Sequence, residues 1–252
     1  MTQTARQIEA GREIRFDYDE YAQILDAMAP RIVDFEAAAG RDRFVVLRHD
    51  VEFDLDRAVE MARIDAAKGV ASSFFVQVAS DAYNPAGPAG RAALTEIRAL
   101  GHWVGLHLHR MGLGPEDRAA YEAEIAAQAG MLAQALGEPV TRMSYHRPAP
   151  WQLEERSDHV CGLLNAYGPS FFEFSKAPAE IVYSSDSQRD WRYGHPLDLV
   201  DRPKVQLLMH PDEWTAAPVT MAGNFAALTD DASARLQRTF EAECKHYAKR
   251  HT

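Results

Sequence analysis

Phe44-Val45-Val46-Leu47-Arg48-His49-Asp50-Val51-Glu52 is an apolar run that closes on two carboxylates, and it sets the reading of the whole chain. Its first half has the length and composition of a buried strand. Residues two apart on a strand share a face, so Asp50 and Glu52 aim at one point beyond its end. A second run, Trp103-Val104-Gly105-Leu106, closes on His107-Leu108-His109 and repeats the arrangement with imidazoles. For one His or Asp, a solvated place just past a strand end is the commoner explanation. Two same-face pairs, each after a strand, turn the balance towards a divalent metal site with a general base beside it.

Outward from these strands the pattern alternates. Residues 17–39 carry apolar positions at helical spacing interrupted by Pro30, which reads as an N-terminal helical extension over 1–43. Asp54-Leu55-Asp56 opens a helix that runs to about Lys68 and stops at Gly69. Ser73–Val78 is a second strand, and a loop with Asn84-Pro85 and Gly87-Pro88 leads to a helix near 89–99. A strand at 102–107 is followed by an alanine-rich helix from Pro115 to Leu136 and a strand from Val140 to Tyr145. Ile181–Tyr183 and Val205–Met209 complete the strands, and 224–250 is a final helix. Strands alternating with helices predict a parallel α/β architecture, read as one domain over 1–252 with its barrel motifs within 44–214.

In such folds functional side chains gather at the carboxyl ends of the strands. Asp50/Glu52, His107/His109, His146/Arg147, Asp186 with Asp190, and His210 all fall at predicted ends. Spacing supports a metal held by Glu52, His107 and His109, with a water in an open position and zinc as the default ion. Asp50 can take the water's proton and His210 can protonate the leaving group, while Arg147 can orient an anionic group. His49 is out of phase with Asp50 and belongs to the opposite face. His102 follows a turn and reads as structural or superficial, and His159, His195, His246 and His251 lie in polar surroundings and read as solvated. His146, Trp151, Trp191 and Trp214 are candidates for a substrate pocket, with core packing the commoner fate of any Trp.

The 252 residues carry a formal net charge of -10 and no basic run, which excludes a nucleic-acid footprint and disfavours anionic membrane surfaces. Cys161 and Cys244 form no CxxC pattern, so neither a disulfide framework nor a thiolate metal site is expected. No apolar leader and no span of about 18 uncharged apolar residues is present, from which a soluble cytoplasmic protein is expected.

Taken in order, the motifs resemble those of the polysaccharide deacetylases, the NodB-homology group of carbohydrate esterase family four. The first motif is similar to Arg48–Glu52, the hallmark strand to Ser72–Val76, and the second motif to Gly101–His109. An Arg-Pro segment looks like Arg147–Trp151, an Asp with a downstream Trp like Asp186 or Asp190 with Trp191, and a Leu-x-x-His strand like Leu207–His210. The resemblance implies a distorted (β/α) barrel of about seven parallel strands and metal-dependent removal of an acyl group, zinc first and cobalt, manganese, nickel or iron as alternatives. It makes Asp50 the base, Glu52 and His107 ligands, His210 the acid, and Arg147 with Asp186 or Asp190 the pair that steadies the base.

Two departures stand out. The family's second His lies four residues after the first, where this chain has Met111, and Glu52 stands where Asp is usual. His109 is the expected replacement. Some relatives with altered ligands are metal-free and open cyclic amides or ureides, and a degenerate barrel that only binds carbohydrate is a further alternative. With no leader, the expected substrate is a small N-acylated carbohydrate or amine.

Overall fold

A computed structural model describes residues 8–9, 12–173, 179–244 and 246. The chain opens with a short hairpin, β1 (Ile8–Glu9) and β2 (Arg12–Glu13), then α1 (Tyr18–Met28), a 3-10 turn containing Pro30, and α2 (Phe35–Ala38). There follow β3 (Phe44–Val51), α3 (Leu55–Ala67), β4 (Ser73–Val76), α4 (Pro88–Ala99), β5 (Trp103–Leu108), α5 (Arg118–Leu136) and β6 (Arg142–Tyr145). The remainder comprises α6 (Pro150–Glu154), β7 (His159–Val160), β8 (Leu163–Asn165), β9 (Ile181–Ser185), β10 (Lys204–Met209) and α7 (Met221–Glu243). Local chemistry sets the helix starts: Asp17, Asp34, Asp54 and Thr220 each cap a helix by accepting a backbone N–H. Gly69, expected to end α3, has the left-handed φ of 69° that such a stop uses. No described helix is long and apolar enough to cross a membrane.

Eight strands form one sheet in the order β7-β8-β6-β5-β4-β3-β10-β9, with every pairing parallel except β7 with β8. This is a distorted (β/α) barrel whose end strands, β7 and β9, do not pair. Side chains partly close the gap: Gln206 on β10 donates to the carbonyls of Ala166 (2.8 Å) and Phe171 (3.0 Å) beyond β8. The strand alternation predicted for β3 divides it between two cores. Phe44 and Val46 pack inside with Phe75, Leu164 and Phe171, while Val45, Leu47 and Val51 pack outside beneath the helices. The inner face also takes Arg142, and Gly105 makes room for it: a Cβ there would lie 2.7 Å from the Arg142 side chain.

The helical layer is pinned through one buried carboxylate. Asp65 of α3 accepts from Tyr21 of α1 and from Ser72 (2.6 Å), and faces Nε2 of His49 on the outer side of β3 at 2.9 Å. His102 joins this network, accepting the Ser72 N–H at 3.2 Å and reaching the Ala62 carbonyl at 2.8 Å. His49 and His102 are therefore structural, and for His49 its phase relative to Asp50 on β3 explains it. His195 departs from expectation, being buried rather than solvated. Its Nε2 meets Glu20, whose other oxygen accepts the N–H groups of Arg15 and Phe16 at 2.7 Å each. His159 and His246 are exposed as expected, and His251 lies outside the described residues.

Burial raises the Glu20 carboxyl, but the hydrogen bonds from His195, Arg15 and Phe16 outweigh it and leave it below its ordinary value. A depressed folded value contributes stability above the unfolded value of about 4.3, lost as pH falls through the folded value. Glu20→Gln is therefore expected to cost about 1–3 kcal/mol at neutral pH in urea denaturation, with the difference from the parent shrinking below about pH 4.

Candidate metal and acid–base site

Five strand ends deliver the site, and the sheet register says why their side chains meet. His107 on β5 lies directly beside Ser144 on β6. Met209 on β10 lies beside His49 on β3, so His210 comes level with Asp50. Leu208 lies beside Ser185 on β9, which brings Asp186 alongside His210.

Glu52, just beyond β3, is the convergence point. Its Oε1 lies 2.9 Å from Nδ1 of His146, 3.4 Å from Nε2 of His107 and 4.0 Å from Nε2 of His210. Glu52, His107 and His146 have one donor atom each within 4.8 Å of one another, the only such group of three among the described residues. Burial alone raises the Glu52 carboxyl, but hydrogen bonds from His107 and His146 and the charge of His210 outweigh it. They hold it well below the usual carboxylate range.

Two supporting relays orient the imidazoles. In the first, Ser144 Oγ donates to Asp50 Oδ1 (3.1 Å) and accepts from His107 Nδ1 (2.7 Å). Ser144 thereby engages Nδ1 and leaves Nε2 turned to Glu52, the nitrogen through which His107 would hold an ion. In the second, Asp186 is fully buried and accepts from His210 Nδ1 (2.7 Å), the His210 backbone N–H (2.9 Å) and the Trp214 indole (2.7 Å). Burial lowers the His210 imidazolium, but the Asp186 charge and hydrogen bond overcome this and raise it to about 10. His210 is a proton donor at neutral pH, with Nε2 turned towards Glu52 and the cavity.

Asp50 is buried and held from the other side by Arg48, whose Nη2 is 3.5 Å from Oδ2. The Arg48 guanidinium lies over the Tyr167 ring at 4.3 Å, wholly buried. Burial opposes its charge, but Asp50 together with Tyr167 and Tyr183 outweighs this and holds it above its ordinary range.

Above these groups lies a cavity of about 570 Å³, with Asp50, Glu52, His107 and His210 on its floor and Arg147 and Tyr193 among its lining. Asp212 and Glu213 line it as well. Burial pushes Asp212 up to about 7 and Glu213 up to about 8, and the Asp186 and Asp212 charges add to the rise at Glu213.

Several expected roles are placed elsewhere by the structure. His109 is not in the ligand group: β5 ends at Leu108, so the alternation that paired it with His107 no longer applies. Its Nδ1 accepts the Met111 N–H at 3.2 Å, and its ring stacks behind His146 at 5.5 Å. His146, expected to touch substrate, stands in the third place. Met111 is more than half exposed and outside the group. Asp186 bonds to His210 rather than to Asp50, and Asp190 is not among the cavity residues. Arg147 adopts a left-handed backbone (φ 49°) at the cavity wall, and the guanidinium beside Asp50 is that of Arg48.

Trp191 and Trp214 are core residues, the first stacked on Phe16 and the second tilted against it, and Trp151 packs on Tyr121. None of the three lines the cavity; Tyr145, Tyr167 and Tyr183 do instead. Sequence reasoning missed Ser144 and Arg48, although both share a strand face with a named residue. Arg48 stands two before Asp50, and Ser144 two before His146.

No family model and no curated protein matches the sequence. Solved structures do. A family 4 carbohydrate esterase from Streptococcus mutans is 14% identical over 85% of this chain and 90% of its own, with a TM-score of 0.50. A family 4 carbohydrate esterase from Bacillus anthracis is 14% identical over 86% of each chain at 0.41. A family 4 pseudoenzyme from the same organism is 13% identical over 80% of this chain and 62% of its own at 0.45. At these identities the likeness is one of fold: the chain has the NodB-like fold found in carbohydrate esterase family four.

Asp186→Asn is expected to bring the His210 titration, followed by NMR, from about 10 down towards the free-imidazole value of about 6.5. An unchanged titration would remove Asp186 from its supporting role.

Proposed function

We propose that the chain is a metal-dependent hydrolase that removes an N-acyl group, acetyl in the simplest case, from a small carbohydrate or amine. The observation that carries this reading is the convergence of Glu52, His107 and His146 on one point with Asp50 and His210 on either side. One carboxylate and two imidazoles are a donor set that suits a borderline divalent cation, zinc before cobalt, manganese, nickel or iron. The Ser144 relay, which presents His107 through Nε2, fits the same conclusion. Such an ion, when bound, supplies Lewis acidity to the acyl carbonyl and to a water.

The chain's own groups supply the proton chemistry. Asp50, beside Arg48 and aligned by Ser144, accepts a proton from the attacking water. The water oxygen bonds to the acyl carbon. His210, charged at neutral pH through Asp186, gives its proton to the amide nitrogen as the C–N bond breaks. A carboxylic acid and an amine leave.

A second reading is favoured by one distance. Glu52 and His146 at 2.9 Å already form a hydrogen bond, so the cluster is satisfied without an ion, as a metal-free hydrolase of cyclic amides would need. Chelation separates the two readings. The metal reading expects amide hydrolysis to stop in chelator and to return with zinc or cobalt; persistence of full activity selects the metal-free one.

Further outcomes follow from residue roles. Asp50→Asn is expected to lower kcat by about 10²–10⁴ while the metal content stays. His107→Ala or His146→Ala is expected to weaken metal binding by about 100-fold or more, whereas His109→Ala retains full occupancy by elemental analysis. Loss of metal in the His109 variant and retention in the His146 variant would reverse the ligand assignment.

A further inference from the structure

Most of the cavity is not needed for the proton chemistry described above. One wall is a continuous series of five rings. Tyr145 stacks on Tyr167 (5.6 Å between centroids), Tyr167 meets Phe172 (4.9 Å), Phe172 meets Tyr183 (5.2 Å) and Tyr183 meets Tyr193 (5.4 Å). All five line the cavity, and the series ends at Tyr193, which is 44% exposed at the mouth.

Another part of the lining is acidic. Asp212 and Glu213 follow His210 and line the same space. Asp212 is only 5% exposed, and its Oδ1 has no hydrogen-bond donor among the described residues. A buried carboxyl oxygen without a donor is costly, and native proteins rarely leave one so unless a ligand or water completes it. The position is a held one. Arg57 (2.9 Å) and Asn224 (2.8 Å) both donate to the Asp212 backbone carbonyl, and Arg57 is itself tied to Asn224. Among the lining residues Arg147 is the one Arg or Lys, set against the carboxyls of Asp50, Glu52, Asp212 and Glu213.

Aromatic faces and unpaired carboxyls together recognise an ammonium group. The rings attract a cation through their quadrupoles and accept methylenes, and the carboxyls, which burial leaves partly protonated at neutral pH, ionise as an ammonium arrives beside them and then supply the counter-charge. We infer that Asp212, with Glu213, receives a protonated amine carried by the substrate at a distance from the scissile amide, while the aromatic wall runs along the methylenes between them. The substrate class is then an N-acylated di- or polyamine. This rests on the hydrolase reading for the scissile amide; the amine subsite itself does not. The reaction is the hydrolysis already written, with water as the co-reactant and the free diamine as the amine product.

Two measurements test it on the full chain loaded with zinc. The first compares turnover of N-acetylputrescine with its neutral isostere N-pentylacetamide and with N-acetylglucosamine. A preference of about tenfold or more in kcat/KM for the charged substrate over both others is expected. Asp212→Asn should bring that ratio close to one, whatever it does to absolute rates. Glu213→Gln, at a less buried position, should reduce it as well and serves if the Asp212 variant does not fold.

The second measurement is calorimetric titration with putrescine and spermidine against n-pentanol. It expects amine binding that the Asp212 variant weakens about tenfold or more. Equal turnover of charged and neutral amides, or a preference for N-acetylglucosamine, overturns the inference and leaves the hydrolase reading standing. Amine binding without hydrolysis of any amide overturns the hydrolase reading and leaves the amine subsite. Absence of amine binding by the parent chain overturns the subsite directly.

Discussion

The Glu52 carboxylate sits where water is scarce, and an anion there is stable only because three imidazoles surround it. That requirement governs the top of the barrel. His107, His146 and His210 come from three different strands, so the carboxylate is satisfied only when β3, β5, β6 and β10 are in register. The site is thus a product of the sheet as a whole, and each strand contributes a group that the others need. An ion between Glu52, His107 and His146 would take over the same stabilisation, since the donors that converge on the carboxylate are those that would bind a cation.

Two relays divide the work without mixing. Asp50, Ser144 and His107 form one, in which a single hydroxyl ties the base to a candidate ligand and settles which imidazole nitrogen faces inwards. Asp186, His210 and Trp214 form the other, in which a buried carboxylate spends all its contacts on the proton donor and its support. The proposed base and acid share one small cavity, each beside its own buried partner of opposite charge: Arg48 next to Asp50 and Asp186 next to His210. The resemblance to deacetylases implies that Asp186 or Asp190 steadies the base. The contacts of Asp186 go to His210 and Trp214 instead, as suits a strand β9 that neighbours β10 and lies one strand removed from β3.

Much of the fold was legible because period and capping speak locally. The β3 alternation already separated Asp50 from His49, and Asp54 and Gly69 marked the ends of α3. Boundaries slipped where tertiary pairing decided them. Strand β4 stops at Val76 rather than Val78, and the antiparallel β7 was invisible because a two-residue strand has no period. Polar surroundings suggested a solvated His195, yet it is a partner of Glu20 from the far side of the chain, and such pairing leaves no local trace. The tryptophans show the same limit. Their spacing after polar motifs was real, but Trp191 and Trp214 serve the core and the Asp186 carboxylate.

The exchange of His109 for His146 follows from sheet geometry. A ligand two residues along a strand lies about 6.6 Å further on, and only if the strand continues straight. Strand β5 ends before that distance is covered, and the chain turns at His109 to donate to and accept from Gln128. On the neighbouring strand the ladder continues one residue further: the His146 N–H, level with His109, still donates to the Leu108 carbonyl at 2.9 Å. His146 lies two residues beyond Ser144 and thus on the same face as the group that orients His107. A third imidazole is therefore supplied across the sheet, where a reading along one segment would not look for it. The residue four places after His107 is thereby relieved of any ligand role, which accounts for an exposed methionine there without loss of a three-donor site.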